Sequence, residues 1–310
     1  MPCFCHGDSD HRGRLSRSNT PFADASATPS YAPDTLIRPV HYAVRLHVDV
    51  LRQSVPSASV TITFAASHVS SARTVKLDAV GLADLAVSHA EPALAHVRYD
   101  GKTVVLTWAT PFSEANTRAV TLTYAIPRAP VTGLLFGAQM VMTDHETERA
   151  RYWLPCVDYP AIRTTWEFHL RVDKAHSAVA NGVLVGTTTD DDDSSSGTRT
   201  FHWKLDVPCP TYLACFAAGD LVTVDDGVFV ARDNKEVPVA YVATRDVPVE
   251  WLKQSFQETK GMLGWLTDKL DQPFPFPKYY QFCGMPMAGA MENISLVYVV
   301  CLGPPPSSLS

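Results

Sequence analysis

The sequence predicts a mainly β fold, either an antiparallel β-sandwich or a saddle-shaped sheet, followed by the beginning of a mixed α/β domain. Two patterns predict it. Up to about residue 220, apolar residues alternate with other residues in short segments bounded by Gly, Pro, Asn or Asp. Beyond that point, a strand-like segment, a helical pattern and another apolar segment follow one another. With 310 residues, the chain is long enough for two domains.

Composition indicates an ordinary globular protein. Hydrophobic residues make up 46% of the chain and charged residues 19%, which argues against global disorder. The formal net charge is -6, and no basic stripe suggests a nucleic-acid partner. The first 33 residues lack the apolar segment of a secretory signal, and no window approaches the ~18 apolar residues of a membrane span. We therefore expect a cytoplasmic protein.

The cysteines do not form a disulfide framework. There are seven, an odd number with irregular spacing, so reduced thiols are expected. Cys156 and Cys215 lie in apolar runs and should pack as small hydrophobic residues. Residues 3–6, Cys-Phe-Cys-His, contain metal-binding residue types but have no second cluster to complete a site, so we favour no metal there.

The first part of the chain is predicted to be a tail followed by strands. Residues 1–34 are rich in Ser, Arg, Pro and Asp without hydrophobic periodicity, which predicts a flexible tail. Strands are predicted at residues 42–50, 60–64, 104–108, 119–126, 166–172, 178–185 and 201–207. The acidic run at residues 190–193 lacks the alternating ligands and closing Glu of an EF-hand, so a solvated hairpin tip is favoured over a calcium site.

The second part is predicted to be only the beginning of a domain. After a strand at residues 239–242, helical spacing predicts one amphipathic helix, with apolar positions at Leu252, Phe256, Leu263, Leu266 and Leu270. Three prolines end it, and residues 289–300 are predicted to form a strand. In a domain that is only begun, apolar side chains should lack partners, namely Leu252, Leu263, Leu266 and Val297.

Residues 289–293, Gly-Ala-Met-Glu-Asn, contain the residue types needed to bind a peptide terminus. Gly289 and Ala290 have almost no side chain, so an extended peptide can pair with their backbone. The carboxylate of Glu292 can pair with a substrate ammonium, which is otherwise costly to bury. Such a carboxylate fixes the position of the substrate's amino terminus in the site, as an aminopeptidase requires. The alternative interpretation is an ordinary strand end.

The chain resembles the aminopeptidase N family of zinc metallopeptidases. Residues 289–293 resemble its exopeptidase motif, and residues 150–160 resemble the A-R-x-x-x-P-C-x-D-x-P block of its amino-terminal domain. Residues 38–42 and 210–220 are also similar to family segments. The resemblance implies a saddle-shaped antiparallel β-sandwich over residues 35–226, then the truncated start of a thermolysin-like α/β catalytic domain over residues 227–300. Residues 301–310 do not resemble the family's continuation and are expected to form an irregular tail.

The resemblance also implies a set of substrate-binding residues. The family's pentapeptide Glu grips the free amino terminus of a peptide, and Glu146 matches an acidic residue that joins it. Asp144 stands where relatives commonly carry a Gln in the pocket for the first side chain, and this difference favours basic side chains. The implied residues are Asp144, Glu146, Gly289, Ala290, Met291, Glu292 and Asn293. Alternatively, Asp144 and Glu146 belong to a solvated acidic loop beside Arg149 and Arg151.

Three charged residues near this loop are expected to be architectural. Arg151, Asp158 and Arg163 are predicted to form internal ion pairs, and no catalytic residue is assigned in this chain.

In complete relatives, zinc is held by the two His of H-E-x-x-H and by a later Glu. Here His145-Glu146 is followed by Arg149 where the second His would stand, and no two histidines are four residues apart. We therefore expect zinc in the complete family, none bound by this chain, and no hydrolysis by this chain alone.

Two functions remain. The first is the amino-terminal portion of a zinc aminopeptidase that releases amino-terminal residues from peptides. The second is a noncatalytic peptide- or protein-binding scaffold module of the same architecture. The intact pentapeptide favours the first, because a scaffold has no use for an ammonium clamp.

Overall fold

The computed structural model describes residues 32–66, 71–113, 116–190, 197–284 and 289–299. The strands of the first part are β1 (Ile37–Asp49), β2 (Ser54–Ala66), β3 (Thr74–Asp78), β4 (Ala83–Glu91), β5 (Leu94–Tyr99), β6 (Thr103–Trp108), β7 (Arg118–Ile126), β8 (Gly133–Phe136), β9 (Met140–Asp144), β10 (Arg163–Asp173), β11 (Ser177–Ala180), β12 (Val183–Asp190), β13 (Thr198–Pro210) and β14 (Phe216–Gly219). The elements that follow are β15 (Leu221–Val230), β16 (Glu236–Thr244), α1 (Val249–Phe256), α2 (Thr259–Leu270), β17 (Tyr279–Cys283) and β18 (Leu296–Val299).

The largest sheet has seven strands in the order β12-β13-β10-β1-β2-β7-β4. Its pairs are antiparallel except for β1 and β10, which run parallel. Period-two alternation buries one face: Tyr42 and Trp166 are fully buried and stack with ring centroids 4.6 Å apart. The opposite face carries polar residues.

Two smaller sheets cover the buried face. Their orders are β3-β6-β5 and β11-β14-β9-β8, and both contribute side chains to the same hydrophobic core as the large sheet. Trp108 of β6 packs edge-on against Phe64, and Phe216 of β14 packs against Phe168. The predicted mainly β fold with antiparallel sheets is confirmed.

A fourth sheet, in the order β15-β16-β17-β18, is mixed. β15 and β16 are antiparallel, whereas β17 runs parallel to both β16 and β18. The helices α1 and α2 connect β16 to β17, and they bury Leu252 and Leu263 in a second core with Val239 and Tyr241. This succession of strand, helix and parallel strand is the α/β pattern expected after the sandwich.

The prediction that four apolar side chains of the second domain lack partners is only partly correct. Leu252 and Leu263 are buried, so for these two residues the prediction is wrong: the sheet that α1 and α2 cover is already formed. Leu266 is 46% exposed, and Val297 is half-buried.

The predicted strand at residues 178–185 is two strands, β11 and β12, which belong to different sheets. The chain turns at Asn181 and Gly182. Gly182 has a φ of +77°, and a Cβ at that position would collide with the Lys204 carbonyl oxygen, so the turn requires glycine.

The predicted single helix is also wrong. It is two helices with a break at Gln257 and Glu258, where the Glu258 backbone leaves helical geometry. The Tyr241 hydroxyl lies 2.7 Å from Asp226 Oδ2 and 2.9 Å from the Phe256 carbonyl, so its one proton is shared between two acceptors at the end of α1.

Several sequence predictions concern residues outside the described ranges: the tail up to residue 31, the acidic run at residues 191–193, and residues 300–310. The strands on either side of the acidic run do pair, as far as Asp190 and Thr198. Cys156 and Cys215 are buried free thiols, as predicted. Among the described residues, no helix has the length and apolar character that crossing a membrane requires.

Candidate functional site: an open sheet edge beside an acidic loop

The pentapeptide at residues 289–293 lies at the edge of the fourth sheet. Met291 forms an isolated antiparallel bridge with Tyr298 of β18, with both backbone N–H···O distances 2.9 Å. The predicted continuous strand through residues 289–300 is therefore wrong. The chain turns at Ile294 and Ser295, where Ser295 has a φ of +64°, and returns as β18.

One side of the pentapeptide has no backbone partner among the residues that the structure describes. Successive residues of an extended segment direct their backbone groups to opposite edges. Because those of Met291 face β18, those of Ala290 and Glu292 face away from it, and they form no backbone hydrogen bond with any described residue. The side chains alternate too: Met291 and Asn293 are buried, whereas Ala290 and Glu292 are exposed. Gly289 has a φ of +101° and open space around it.

Tyr298 joins this edge to the loop that carries Asp144 and Glu146. Its hydroxyl donates a hydrogen bond of 2.7 Å to the Phe216 carbonyl and lies 3.2 Å from Thr143 Oγ1. Thr143 immediately precedes Asp144 in β9. Tyr298 therefore holds the pentapeptide and the start of the acidic loop together, at one contact between two sheets.

The turn that follows the pentapeptide is held by the β11–β12 turn. Asn181 Nδ2 donates to the carbonyls of Ile294 and Leu213, and Asn181 Oδ1 accepts from the Cys215 N–H. The Gly182 N–H donates to Ser295 Oγ at 2.8 Å. Except for the half-buried Leu213, these groups are buried, so each loss would leave a backbone group without a partner.

Lys278 is a second buried anchor. Its Nζ donates to the Ala180 carbonyl at 2.7 Å and to Ser295 Oγ at 3.3 Å, and it lies 5.0 Å from the ring centroids of Trp203 and Tyr280. No described carboxylate pairs with it, and burial lowers the pKa of Lys278 from 10.5 to about 7. The side chain links β17 to the sandwich.

The acidic residues of the site differ in their partners. Glu146 and Glu292 are exposed and form no ion pair with the residues the structure describes. Asp144 is paired with Arg149 at 2.8 Å. The alternative of a solvated acidic loop beside arginines therefore describes Asp144 well, and Glu146 has no ion-pair partner within the described ranges.

The neighbouring ion pairs follow the sequence prediction in part. Arg151 pairs with Asp158 at 3.1 Å and with Glu148 at 2.9 Å. Burial nevertheless raises the pKa of Asp158 to about 6, because Arg151 offsets only part of its desolvation. Arg163 is exposed and has no ion-pair partner among the described residues.

The donor set around this edge does not fit the zinc site of the family. The histidine of the acidic loop, His145, is buried, and both ring nitrogens have partners: Nε2 accepts from Trp153 Nε1 at 2.7 Å, and Nδ1 lies 3.3 Å from the Thr211 carbonyl. Burial lowers the pKa of His145 to about 4, so it is neutral and structural.

The sequence from residue 38 to residue 213 matches the peptidase M1 N-terminal domain, which is more than half of the chain. The chain belongs to the M1 peptidase family. This confirms the resemblance inferred from the pentapeptide and from residues 150–160.

Individual M1 relatives are distant in sequence. The chain is 25% identical over 214 residues to endoplasmic reticulum aminopeptidase 1 of Mus musculus, a match covering 68% of this chain and 21% of the mouse protein. It is 24% identical over 155 residues to leucyl aminopeptidase of Saccharolobus solfataricus, covering 50% and 18%. The matched part thus spans about a fifth of these relatives.

Solved M1 structures share the fold. The M1 zinc metallopeptidase from Deinococcus radiodurans superposes with a TM-score of 0.74 at 22% identity, over 87% of this chain and 62% of that chain. Legionella pneumophila aminopeptidase A in complex with aspartic acid gives a TM-score of 0.72 at 14% identity, over 85% and 31%.

The anchoring residues were missed by sequence reasoning. Tyr298, Asn181 and Thr143 stand in unremarkable strand or turn contexts, and only contacts between sheets give them their roles. Lys278 carried a signal, since it directly follows the proline-rich run before the pentapeptide.

Proposed function

We propose that this M1-family chain recognises the free amino terminus of a peptide, as the amino-terminal portion of a zinc aminopeptidase that releases amino-terminal residues. The observation that carries this proposal is the backbone edge at Ala290 and Glu292, which no described residue pairs with, next to an exposed carboxylate that has no ion-pair partner among the described residues. The names of the sequence relatives, which include leucyl aminopeptidase, agree with it.

In this proposal a peptide adds to the sheet as an extended strand. Its backbone pairs with the outward groups of Ala290 and Glu292, and its ammonium pairs with the Glu292 carboxylate. Glu146 supplies a second carboxylate, and Gly289 leaves room for the incoming backbone. Met291 and Asn293 are buried and hold the segment in place.

Asp144 lies at the pocket for the first side chain. Its ion pair with Arg149 compensates its charge, so the preference for a basic first residue is weaker than Asp144 alone would give.

Binding and hydrolysis are separable in this proposal. The sequence does not supply the H-E-x-x-H ligands, so the 310-residue chain binds peptide termini without hydrolysing them. Hydrolysis belongs to a protein that also provides those ligands.

The test is calorimetric titration of the 310-residue chain with a short peptide, compared with the same peptide acetylated at its amino terminus. We expect acetylation and Glu292→Gln each to weaken binding by about tenfold, or about 1.4 kcal/mol. Glu250→Gln is the matched control, because Glu250 is also exposed but lies on α1; it should bind as the wild type does.

Equal affinity for the free and acetylated peptides would contradict the ammonium clamp and favour the scaffold alternative. Turnover of aminoacyl substrates with stoichiometric zinc would contradict the separation of binding from hydrolysis.

A further inference from the structure

The polar face of the seven-stranded sheet carries a cluster of three histidines and a glutamate. Glu167 and His169 lie two residues apart on β10 and share that face. His202 of β13 is directly opposite His169 in the antiparallel register. His41 of β1 is opposite Thr165, which shares the face of Glu167. Three adjacent strands therefore fix the backbone positions of all four side chains.

The possible ligand atoms converge on one carboxylate. His169 Nε2 lies 2.8 Å and His202 Nε2 lies 2.7 Å from the same oxygen of Glu167, Oε1. His41 Nε2 lies 3.8 Å from the other oxygen, Oε2. The ligand atoms of Glu167, His169 and His202 all lie within 4.8 Å of one another.

His41 is oriented by a hydrogen bond of its other ring nitrogen. Its Nδ1 lies 2.7 Å from Thr165 Oγ1, and its Nε2 faces the Glu167 carboxylate. A hydrogen bond that fixes the second ring nitrogen in this way is typical of metal-ligating histidines.

His202 provides an independent observation. Its Nε2 is a buried atom without a properly oriented hydrogen bond, although it is 2.7 Å from Glu167 Oε1. The buried ring nitrogen of His202 therefore points at the same carboxylate oxygen as His169.

We propose that Glu167, His169 and His202 bind a zinc ion. Imidazole nitrogens and a carboxylate oxygen are the donors that zinc takes in proteins, and bonds of ~2.0–2.1 Å at tetrahedral angles place ligand atoms about 3.3 Å apart. The Nε2 atoms of His169 and His202 lie 2.8 and 2.7 Å from Glu167 Oε1, somewhat closer than that spacing. Small side-chain rotations open the cluster to the ion without moving a strand.

Nearby cations set the electrostatic surroundings of the ion. Arg45 is exposed and lies opposite His169 in the register of β1 and β10. Lys204 lies opposite Glu167, but its charge is paired with Asp206 at 3.0 Å. Arg45 is therefore the cation that opposes metal binding, and Arg45→Gln should strengthen it.

The missing H-E-x-x-H spacing led to the expectation that this chain binds no metal, but that spacing describes ligands on one helix. A site built across two strands leaves no such spacing in the sequence. The proposal uses no residue of the pentapeptide or the acidic loop, so it stands or fails independently of peptide binding.

The experiment titrates the metal-free 310-residue chain with Co²⁺ and then displaces it with Zn²⁺, following visible absorption. All variants carry Cys3→Ser and Cys5→Ser, because these thiols are the competing ligands in the tail. Thiolate charge-transfer absorption would reveal any remaining cysteine ligand. The test variants are Glu167→Gln and His202→Asn. The matched control is His47→Asn, since His47 lies on the same face of β1 as His41 but outside the cluster.

We expect one equivalent of metal, no thiolate absorption, and affinity lowered at least about tenfold by each cluster variant but not by the control. Zinc should also raise the thermal midpoint of the wild type and not that of the cluster variants, which shows binding to the folded state. Circular dichroism of the metal-free variants verifies that they fold. Unchanged affinity in both cluster variants, thiolate absorption, or no binding at millimolar metal would overturn the proposal.

Discussion

The two hydrophobic cores of this chain are covered to different degrees. In the first, the sandwich sheets together with residues of the fourth sheet enclose large aromatic side chains, and Trp108, Trp153 and Trp166 are at most 1% exposed. In the second, α1 and α2 cover one face of the mixed sheet, but Trp265 on α2 remains 61% exposed. The first core is closed by its own strands, whereas the outer face of α2 contributes little to the stability of this chain.

The largest expected effect on stability comes from removing a large aromatic side chain from the first core. Trp166→Ala should lower the free energy of unfolding by about 3–5 kcal/mol, because it removes the stacked partner of Tyr42 and leaves a cavity. Trp265→Ala, on α2, should change it by less than about 0.5 kcal/mol. Denaturant unfolding monitored by circular dichroism measures both. Similar losses for the two variants would mean that α2 is covered in solution.

The next prediction concerns Lys278, the buried side chain that links β17 to the sandwich. Lys278 has a pKa of about 7 when folded and 10.5 when unfolded, so the folded state binds fewer protons between these values. The free energy of unfolding of the wild type should therefore rise between about pH 7 and pH 10.5. The rise should amount to a few kcal/mol, at about 1.4 kcal/mol per pKa unit.

Lys278→Met removes that dependence, and titrations of buried tyrosines and cysteines cancel in the comparison. The lost hydrogen bonds of Lys278 add an offset that does not vary with pH. If the free energies of unfolding of the wild type and of Lys278→Met change in parallel with pH, Lys278 does not titrate between about pH 7 and pH 10.5.

A smaller effect concerns the turn behind the pentapeptide. Asn181→Ala removes the donor to Ile294 and the acceptor for Cys215, which should cost about 1–3 kcal/mol. Hydrogen exchange at the Met291 and Tyr298 amides should quicken as the edge loosens. Asn234→Ala, in an exposed turn, is the control and should leave those amides protected. Unchanged protection in Asn181→Ala would show that Tyr298 alone holds the edge.

The smallest effect tests the Asp144–Arg149 pair. Arg149→Gln frees the Asp144 carboxylate, so binding of a peptide with a basic first residue should strengthen by less than about 1 kcal/mol, as expected for an exposed pair. A peptide with a neutral first residue is the control. Equal changes for both peptides would place Asp144 outside the pocket for the first side chain.

Period-two alternation predicted the strands of the sandwich because each has one face in the core, as in β1 and β7. The apolar residues on both sides of Asn181 and Gly182 resemble one strand, although the Asn-Gly dipeptide is itself a turn signal that separates β11 from β12. Helical spacing likewise continued across Gln257, where a tertiary hydrogen bond from Tyr241 favours the break. The pentapeptide identified the candidate site, but its open edge depends on the pairing of Met291 with Tyr298, seven residues later, which no local pattern encodes.

The outermost strand of the seven-stranded sheet, β12, has a further consequence for the behaviour of the protein in solution. All its residues are exposed, and it begins Val-Leu-Val before continuing Gly-Thr-Thr-Thr-Asp. An unpaired edge of β-branched residues is a template for intermolecular strand addition. Gly186 and the charge of Asp190 are the features in this strand that oppose such growth. Neutralising Asp190 would therefore favour fibrillar self-association while leaving the fold and the peptide edge intact.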